Sequence, residues 1–467
     1  MDITFHGAAQ TVTGSKHLIT TDSGTKLLLD CGMFQGMGAE ADILNRDFGF
    51  NPEDIDHLIL SHAHIDHSGL IPRLVKLGFK GKIYCTSATF DLCRLMLSDS
   101  ANIQENDVSY INRRRRRQER ELLDVLYDME DTARSFDHFV TVDYGKWFEI
   151  EDNIMLQFTD AGHVLGSAAV NLRIREGDQL MRICFTGDIG RRNDPFLRSP
   201  QPFPQADHII CESTYGNRLH EPMAESEQRL LGIVKDTCVV NKGKLIIPAF
   251  SLDRTQELIY ALDKMEHRGI LPPIKVFVDS PLSVQTTQIV EKHVECYNED
   301  VHEYMTKGDQ RPFYFKNLHY ITKVEDSKAI NTLEEPCIII SASGMAEAGR
   351  IKHHIKNNIE DPGNTILIVG YCTPSSLGGR LRNKDERVRI FGEEFEVKAR
   401  VEVMDSYSAH GDYEEMIEYL SCQDPGKVEN MFLVHGDPEV MKSFGEKLNK
   451  KGFRKVIIPE MHETISL

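Results

Sequence analysis

A chain of 467 residues is too long for one ordinary hydrophobic core and fits two or three domain-sized units, which its 40% of apolar residues are enough to bury. Its formal net charge of -18 excludes unspecific adhesion to nucleic acid or anionic membrane, so a polyanionic ligand has to be held by a local basic groove or by metal. Ten scattered cysteines with no C-x-x-C pair and no secretory leader read as a reduced, cytoplasmic protein, and no apolar run approaches the roughly 20 residues of a membrane helix.

Short apolar pieces at Ile3–Phe5, Lys16–Thr20 and Lys26–Asp30, broken by Gly7, Gly14 and Gly24, have the pattern of strands joined by tight turns. Asp30 ends the third of them, where a buried carboxylate needs a partner; a ligand imidazole whose tautomer it fixes is the expected one. After the apolar run Leu58–Leu60 comes Ser61-His62-Ala63-His64-Ile65-Asp66-His67. If this segment is extended, His62, His64 and Asp66 converge on one side and His67 faces another. Imidazoles and carboxylates so concentrated suit zinc or a similar divalent ion, and buried without one they would cost several kcal/mol. A helix over about 68–77 tolerates Pro72 near its first turn, and Lys82–Thr86 is the next strand, which gives the strand, helix, strand grammar of an α/β layer protein.

Residues 88–136 read as helices and carry Arg113 to Arg117, which is either a solvated face or a phosphate-contacting patch beside the site. Strands at Ile154–Thr159 and Met181–Thr186 lead into His163, set among glycines, and Asp188, a second carboxylate at a strand end. At these residues the sequence resembles the metallo-β-lactamase superfamily. The resemblance implies that His62, His64, His163 and Asp188 hold one ion, and that Asp66, His67 and the shared Asp188 hold another. Lactam hydrolases place a cysteine among the second ion's ligands, and di-iron relatives a glutamate where His64 stands; neither fits here.

The second half narrows the choice. Glu212 ends the strand Ile209-Ile210-Cys211, and His410 and His435 follow in Ser408-Ala409-His410-Gly411-Asp412 and His435-Gly436-Asp437. These look like the acid and the two histidines of the β-CASP nucleases. Pro248–Glu257, Val278–Pro281, Ser341–Met345 and Gly370-Tyr371 are similar to that branch's inserted domain. The resemblance implies an αββα metallo-β-lactamase sandwich (1–212 and 399–467) interrupted by an α/β β-CASP domain (213–398). The inserted domain reads as strands at Leu245–Ile247, Lys275–Val278, Cys337–Ser341 and Thr365–Val369, with a helix from Ala346. Ser343 and Gly344 before that helix, and Ser376 and Arg380 one strand on, are candidate phosphate contacts, although Cys372-Thr373-Pro374-Ser375 departs from the branch's pattern. His435 would complete the second ion's ligands, and a histidine there marks RNA-processing members.

The expected activity is therefore a zinc-dependent ribonuclease acting on single-stranded RNA. Two Zn2+, with Mn2+ or Fe2+ as weaker fits, would hold a hydroxide that leaves 5′-phosphate and 3′-hydroxyl ends. His410 is the candidate general acid, Glu212 its orienting partner, and Asp30 completes the catalytic group. The chain ends at Leu467 without the added C-terminal domain of some exonucleolytic members, which favours endonucleolytic cutting. No membrane partner is expected, and a homodimer is left open. The competing readings are an inactive β-CASP scaffold that binds RNA or a processing partner, and a small-molecule ester or thioester hydrolase.

Overall fold

Strands that carry apolar residues on alternate positions pair into two sheets whose apolar faces meet. In the computed structural model, which describes residues 1–220, 223–308, 311–370, 372–404 and 408–467, the chain divides into two compact units. The first comprises Met1–Arg192, Ser199–Leu219 and His410–Leu467. One of its sheets runs in the order Thr464–Ser466, Asp2–Gly7, Lys16–Thr20, Lys26–Leu29, His57–Ile59, Lys82–Cys85, Phe139–Thr141. The other runs Val456–Ile457, Asn430–Val434, His208–Glu212, Gln179–Phe185, Ala168–Glu176, Ile154–Asp160, Phe148–Glu151.

Phe5, Leu27, Leu29 and Ile59 of the first sheet share a core with Phe158, Val170, Phe185 and Phe432 of the second. Each such side chain contributes about 1.5–3 kcal/mol of burial. Helices Tyr413–Leu420 and Pro438–Lys450 bring Met416, Leu420, Met441, Phe444 and Leu448 onto the second sheet's other face, against Ile209, Cys211, Met431 and Leu433. On the first sheet Leu28, Leu58 and Ile83 point away from the shared core by alternation and are fully buried as well. This is the layered sandwich expected, with helices outside two sheets.

His17 lies inside that sandwich, fully buried between the Phe5 and Phe185 rings at centroid distances of 5.4 and 5.3 Å. Neither ring nitrogen has a hydrogen-bond partner among the described residues, and burial, reinforced by the charges of His67 and His6, pushes its pKa well below the ordinary histidine value. The folded protein holds it neutral while the unfolded chain takes up a proton below about pH 6.5, so its contribution to stability is lost as pH falls through that value. His17→Phe is expected to raise stability by about 1–3 kcal/mol and to flatten the acid limb. Urea unfolding on both sides of pH 6.5 checks this; equal stability of the two proteins at both values would refute it.

The second unit comprises Asn193–Arg198 and His220–Ala409. Its six-stranded sheet, Leu318–Tyr320, Lys275–Val278, Cys337–Ser341, Leu245–Pro248, Thr365–Val369, Arg400–Met404, is parallel throughout. Ile246, Ile339, Ile366 and Ile368 pack on Ile351, Ile355, Leu377 and Leu381 of the flanking helices. Tyr371, and Asp405 after the last strand, fall outside the described residues.

Two local expectations change. The helix expected over 68–77 is split into Ile65–Ser68 and Ile71–Lys76, so Pro72 sits in the first turn of a separate helix, where its missing N–H costs nothing. No helix starts at Ala346; that residue has φ +57° and the helix is Ile351–Asn358. Ser343 and Gly344 therefore do not lie at a helix N-terminus.

Candidate metal centre

The strand His57–Ile59 delivers Ser61–His64 to one end of the sheet, and the helical turn from Ile65 then redirects the chain. That turn corrects the extended reading. Asp66 leaves the side of His62 and His64 and joins His67, because the two are adjacent on a tight helix rather than alternating on a strand. The donor atoms of His62, His64, His163 and Asp188 form one mutual group, and those of Asp66, His67 and His435 form another.

Within the first group, His64 Nδ1 lies 3.1 Å from His62 Nε2 and 3.3 Å from His163 Nε2. Asp188 Oδ2 lies 3.6 Å from His62 Nε2 and 3.5 Å from His163 Nε2, and 3.3 Å from His67 Nε2 in the second group. His435 Nε2 is 3.4 Å from Asp66 Oδ2. Four donors about 2.0–2.1 Å from a tetrahedral zinc ion lie about 3.3–3.4 Å apart, so these edges are the ones such an ion requires.

Hydrogen bonds at the back of His67, His62 and His435 aim their lone pairs inward. His67 Nδ1–H donates to Asp30 Oδ2 at 2.6 Å, which turns Nε2 towards Asp188, where it would offer its lone pair once a cation takes the place of its proton. Ser61 Oγ donates to Asp30 Oδ2 at 2.9 Å, and so accepts from His62 Nδ1 at 3.0 Å. Thr214 Oγ1 donates to the His435 carbonyl and accepts from His435 Nδ1 at 2.9 Å. Asp30 also receives Ser61 N and Ser15 Oγ, so it is locked by four donors and reaches the cluster only through other side chains. It is a positioning residue. Inward lone pairs on buried rings, with carboxylates among them, are a donor set for a cation.

Without a cation, protons take part of its place. Burial alone would raise the Asp188 carboxyl, but the His435 and His67 imidazoles hold it well below the carboxylate range. Against its own burial, His67 is pushed well above the histidine range by Asp188 and Asp30. Burial, helped by the neighbouring His67 charge, keeps His62 far below it, and burial brings His64 down to about 4. His62 and His64 are thus held neutral, and His67 takes a charge because two carboxylates compel it.

Close backbone approach makes the convergence possible. A Cβ on Gly190 would fall 1.7 Å from the Gly162 carbonyl oxygen, so the loops bearing Asp188 and His163 touch only because residue 190 is glycine. The Gly190 backbone also pairs with His410, and Gly411 N donates to Ile189 O at 2.8 Å. His410 is thereby tilted over His163, ring centroids 4.5 Å apart. Its Nδ1–H donates to Glu212 Oε1 at 3.1 Å. Glu212 is buried and held by Ile189 N at 2.6 Å and Thr214 N at 3.1 Å. Although burial opposes it, Glu212 and then Asp188 raise the His410 pKa to about 9. Asp412 caps the following helix by itself, with Glu415 closing a capping box, so His410 is not needed as a cap.

The remaining candidates lie in the second unit. Ser343 Oγ accepts from Ala348 N at 3.3 Å, and a Cβ on Gly344 would meet the Phe250 ring at 2.6 Å. Ser376 is buried and spends its hydroxyl on Gly379 N and the Thr373 carbonyl as an N-cap, while Arg380 is exposed. A further acidic group there, Asp194, Asp253 and Glu257, surrounds Arg254, which pairs with Asp253 and Glu257 and supplies the positive charge itself. Arg113 to Arg117 do not flank the metal centre. They end the helix Ser87–Arg117, whose first turn is fixed by Thr86 and Thr89 to Gly166 O, near His163. At 1.5 Å per residue they lie about 40 Å along its axis from that contact.

Ser61 and Thr214, which set the tautomers of His62 and His435, were not anticipated. Ser61 adjoins His62 in sequence and could have been suspected, whereas Thr214 meets a histidine 221 residues away and has no local signal.

Comparison with known proteins agrees with this geometry. Residues 14–221 match the metallo-beta-lactamase superfamily, 255–381 the Beta-Casp domain, and 394–459 the Zn-dependent metallo-hydrolase RNA specificity domain. The chain is 32% identical over 452 residues to "Ribonuclease TTHA0252" of Thermus thermophilus, covering 97% of each chain. It is 30% identical to "Transcription termination factor FttA" of Methanosarcina mazei, over 96% of this chain and 69% of that one. It is also 29% identical to the "RNase J-like protein" of Methanocaldococcus jannaschii, over 94% and 93%.

Proposed function

The chain belongs to the β-CASP ribonuclease family of the metallo-β-lactamase superfamily, and from this premise we propose how its zinc-dependent hydrolysis of RNA is carried out. The observation that carries the reading is the closure of seven side chains, from residues 62–67, 163, 188 and 435, into two donor groups joined at Asp188. His62, His64, His163 and Asp188 would hold one Zn2+, and Asp66, His67, His435 and the same Asp188 the other. Bound there, zinc makes water nucleophilic at neutral pH and neutralises charge gathering on the phosphoryl oxygens.

The chain's own groups do the rest. Asp30, Ser61 and Thr214 keep His67, His62 and His435 in the tautomers that face inward. His410, with Nδ1–H given to Glu212, presents Nε2–H to the departing 3′ oxygen, so the products carry 5′-phosphate and 3′-hydroxyl ends. The attack needs a phosphodiester and no chain terminus, and we read the activity as endonucleolytic. We take 1–192, 199–219 and 410–467 as the metal-bearing unit and 193–198 with 220–409 as the insertion, from which Arg380 offers an exposed guanidinium to the RNA backbone. All ten cysteines stand outside disulfides, nine of them buried, which supports a reducing, cytoplasmic setting. No helix among the described residues is long and apolar enough to cross a membrane.

The test is incubation of the zinc-loaded chain with 5′-labelled single-stranded RNA, the same sequence as DNA, a generic thioester, and a circular RNA that offers no end. Cleavage of linear and circular RNA to 5′-phosphorylated products is expected. Thioester turnover with intact RNA would overturn the ribonuclease, and an intact circle beside a shortened linear strand would overturn the endonucleolytic mode.

A further inference from the structure

The far end of the helix Ser87–Arg117 is sorted by face. Asn112 and Arg115 turn inward: Asn112 exchanges two hydrogen bonds with the Leu123 backbone, and Arg115 Nε donates to the Glu121 carbonyl. The opposite face carries Tyr110, Arg113, Arg114 and Arg117, spaced i, i+3, i+4 and i+7 and therefore aligned as one ridge. All four are exposed, Tyr110 to 75%. None of the three arginines makes an ion pair or a side-chain hydrogen bond among the described residues, whereas Arg46, Arg134, Arg182, Arg192 and Arg311 of the same chain are paired with acids. Residues 108–120 contain six arginines and one glutamate in a chain of net charge -18, and Asp107, one turn earlier, ends the basic stretch.

We propose that this ridge is a docking surface for single-stranded RNA, remote from the metal centre, which holds a part of the substrate away from the cut; the proposal rests on the ribonuclease reading. Charge complementarity selects the occupant, because unpaired guanidiniums on an otherwise acidic protein suit phosphates. The interleaved Tyr110 adds what a polyphosphate or an acidic peptide would not use, a ring on which an unpaired base can stack. The roughly 40 Å along the helix means that the ridge gains affinity only for RNA long enough to reach both places.

The test compares the zinc-loaded full chain with Arg113→Gln/Arg114→Gln/Arg117→Gln, with the corresponding lysine triple, and with Tyr110→Ala. Binding of an RNA of roughly 40 nucleotides is followed by fluorescence anisotropy, and cleavage of one of roughly 8 nucleotides is measured beside it. The glutamine triple is expected to bind the long RNA at least tenfold more weakly at about 0.1 M salt, with a log–log salt slope reduced by about 2. The lysine triple should keep the slope, and Tyr110→Ala should lose about fivefold in affinity with the slope unchanged. Short-RNA cleavage should change less than twofold in every variant. Unaltered long-RNA affinity and slope in the glutamine triple overturns the proposal, as does an affinity loss seen equally with poly-glutamate, which would make the ridge a site for acidic protein. Failure of the wild type to cut the short RNA would instead strike the ribonuclease reading.

Discussion

Asp188→Asn is expected to remove zinc from the centre and to slow RNA cleavage by more than about a thousandfold, or about 4 kcal/mol in activation free energy. Asp188 Oδ2 stands within 3.3–3.6 Å of imidazole nitrogens from both donor groups, so a single oxygen serves the two halves of the site. An asparagine fills the same volume without the charge and can turn a donor towards nitrogens whose lone pairs already face inward. The orientation of His62, His67 and His435 by Ser61, Asp30 and Thr214 is untouched. The defect should therefore appear as lost affinity rather than lost fold.

Metal content and thermal unfolding separate those two outcomes without recourse to activity. Zinc at about a thousand times its dissociation constant should stabilise the wild type by about 4 kcal/mol, and the variant should show almost none of this. Asp30→Asn, which acts only through His67 and Ser61, should cost the smaller 10–100-fold in affinity typical of groups behind the ligands. An Asp188→Asn protein that retained its zinc and its rate would end the proposal that Asp188 joins two ions.

The metal-bearing strand ends were legible because their chemistry is dense and local. Asp30, the His62–His67 string, His163 and Asp188 each follow an apolar strand, and histidines and acids at that density have no structural use of their own. Their grouping was less legible. Whether Asp66 sides with His64 or with His67 depends on a helical turn starting at Ile65, and a Ser61–His67 string with no capping side chain does not announce that turn. The strand Ala168–Glu176 alternates Val170, Leu172 and Ile174 with Asn171, Arg173 and Arg175 and carries a clear period-two signal. The three-residue strand Thr464–Ser466 carries none; it exists because it completes an edge beside Asp2–Gly7, with Thr4 and Thr464 bonded across 460 residues. Tautomer-setting pairs such as Thr214 with His435 depend on the same long-range closure.

Removal of the His410 imidazole tests the chemistry as distinct from the cations. His410→Ala is expected to leave zinc content unchanged and to slow cleavage a hundredfold or more, because the departing 3′ oxygen would lose its proton donor while every proposed ligand stays in place. Glu212 does not face the leaving group. Its carboxylate is fixed by Ile189 N and Thr214 N and accepts a hydrogen bond from His410 Nδ1–H, which leaves Nε2–H as the outward donor and favours the charged ring. With a pKa raised to about 9, His410 is protonated at neutral pH and loses activity as an acid when pH rises through that value. Glu212→Gln keeps the hydrogen-bond geometry but removes the charge, so the alkaline limb of the pH–rate profile should move to lower pH by at least about one unit, whereas His410→Ala should erase that limb. A merely structural Glu212 would lower the rate at all pH values and leave the limb where it was, so the profile discriminates where a single rate does not. Full cleavage by His410→Ala would assign the proton to another group, and the tilted stack of His410 on His163 would then be packing alone.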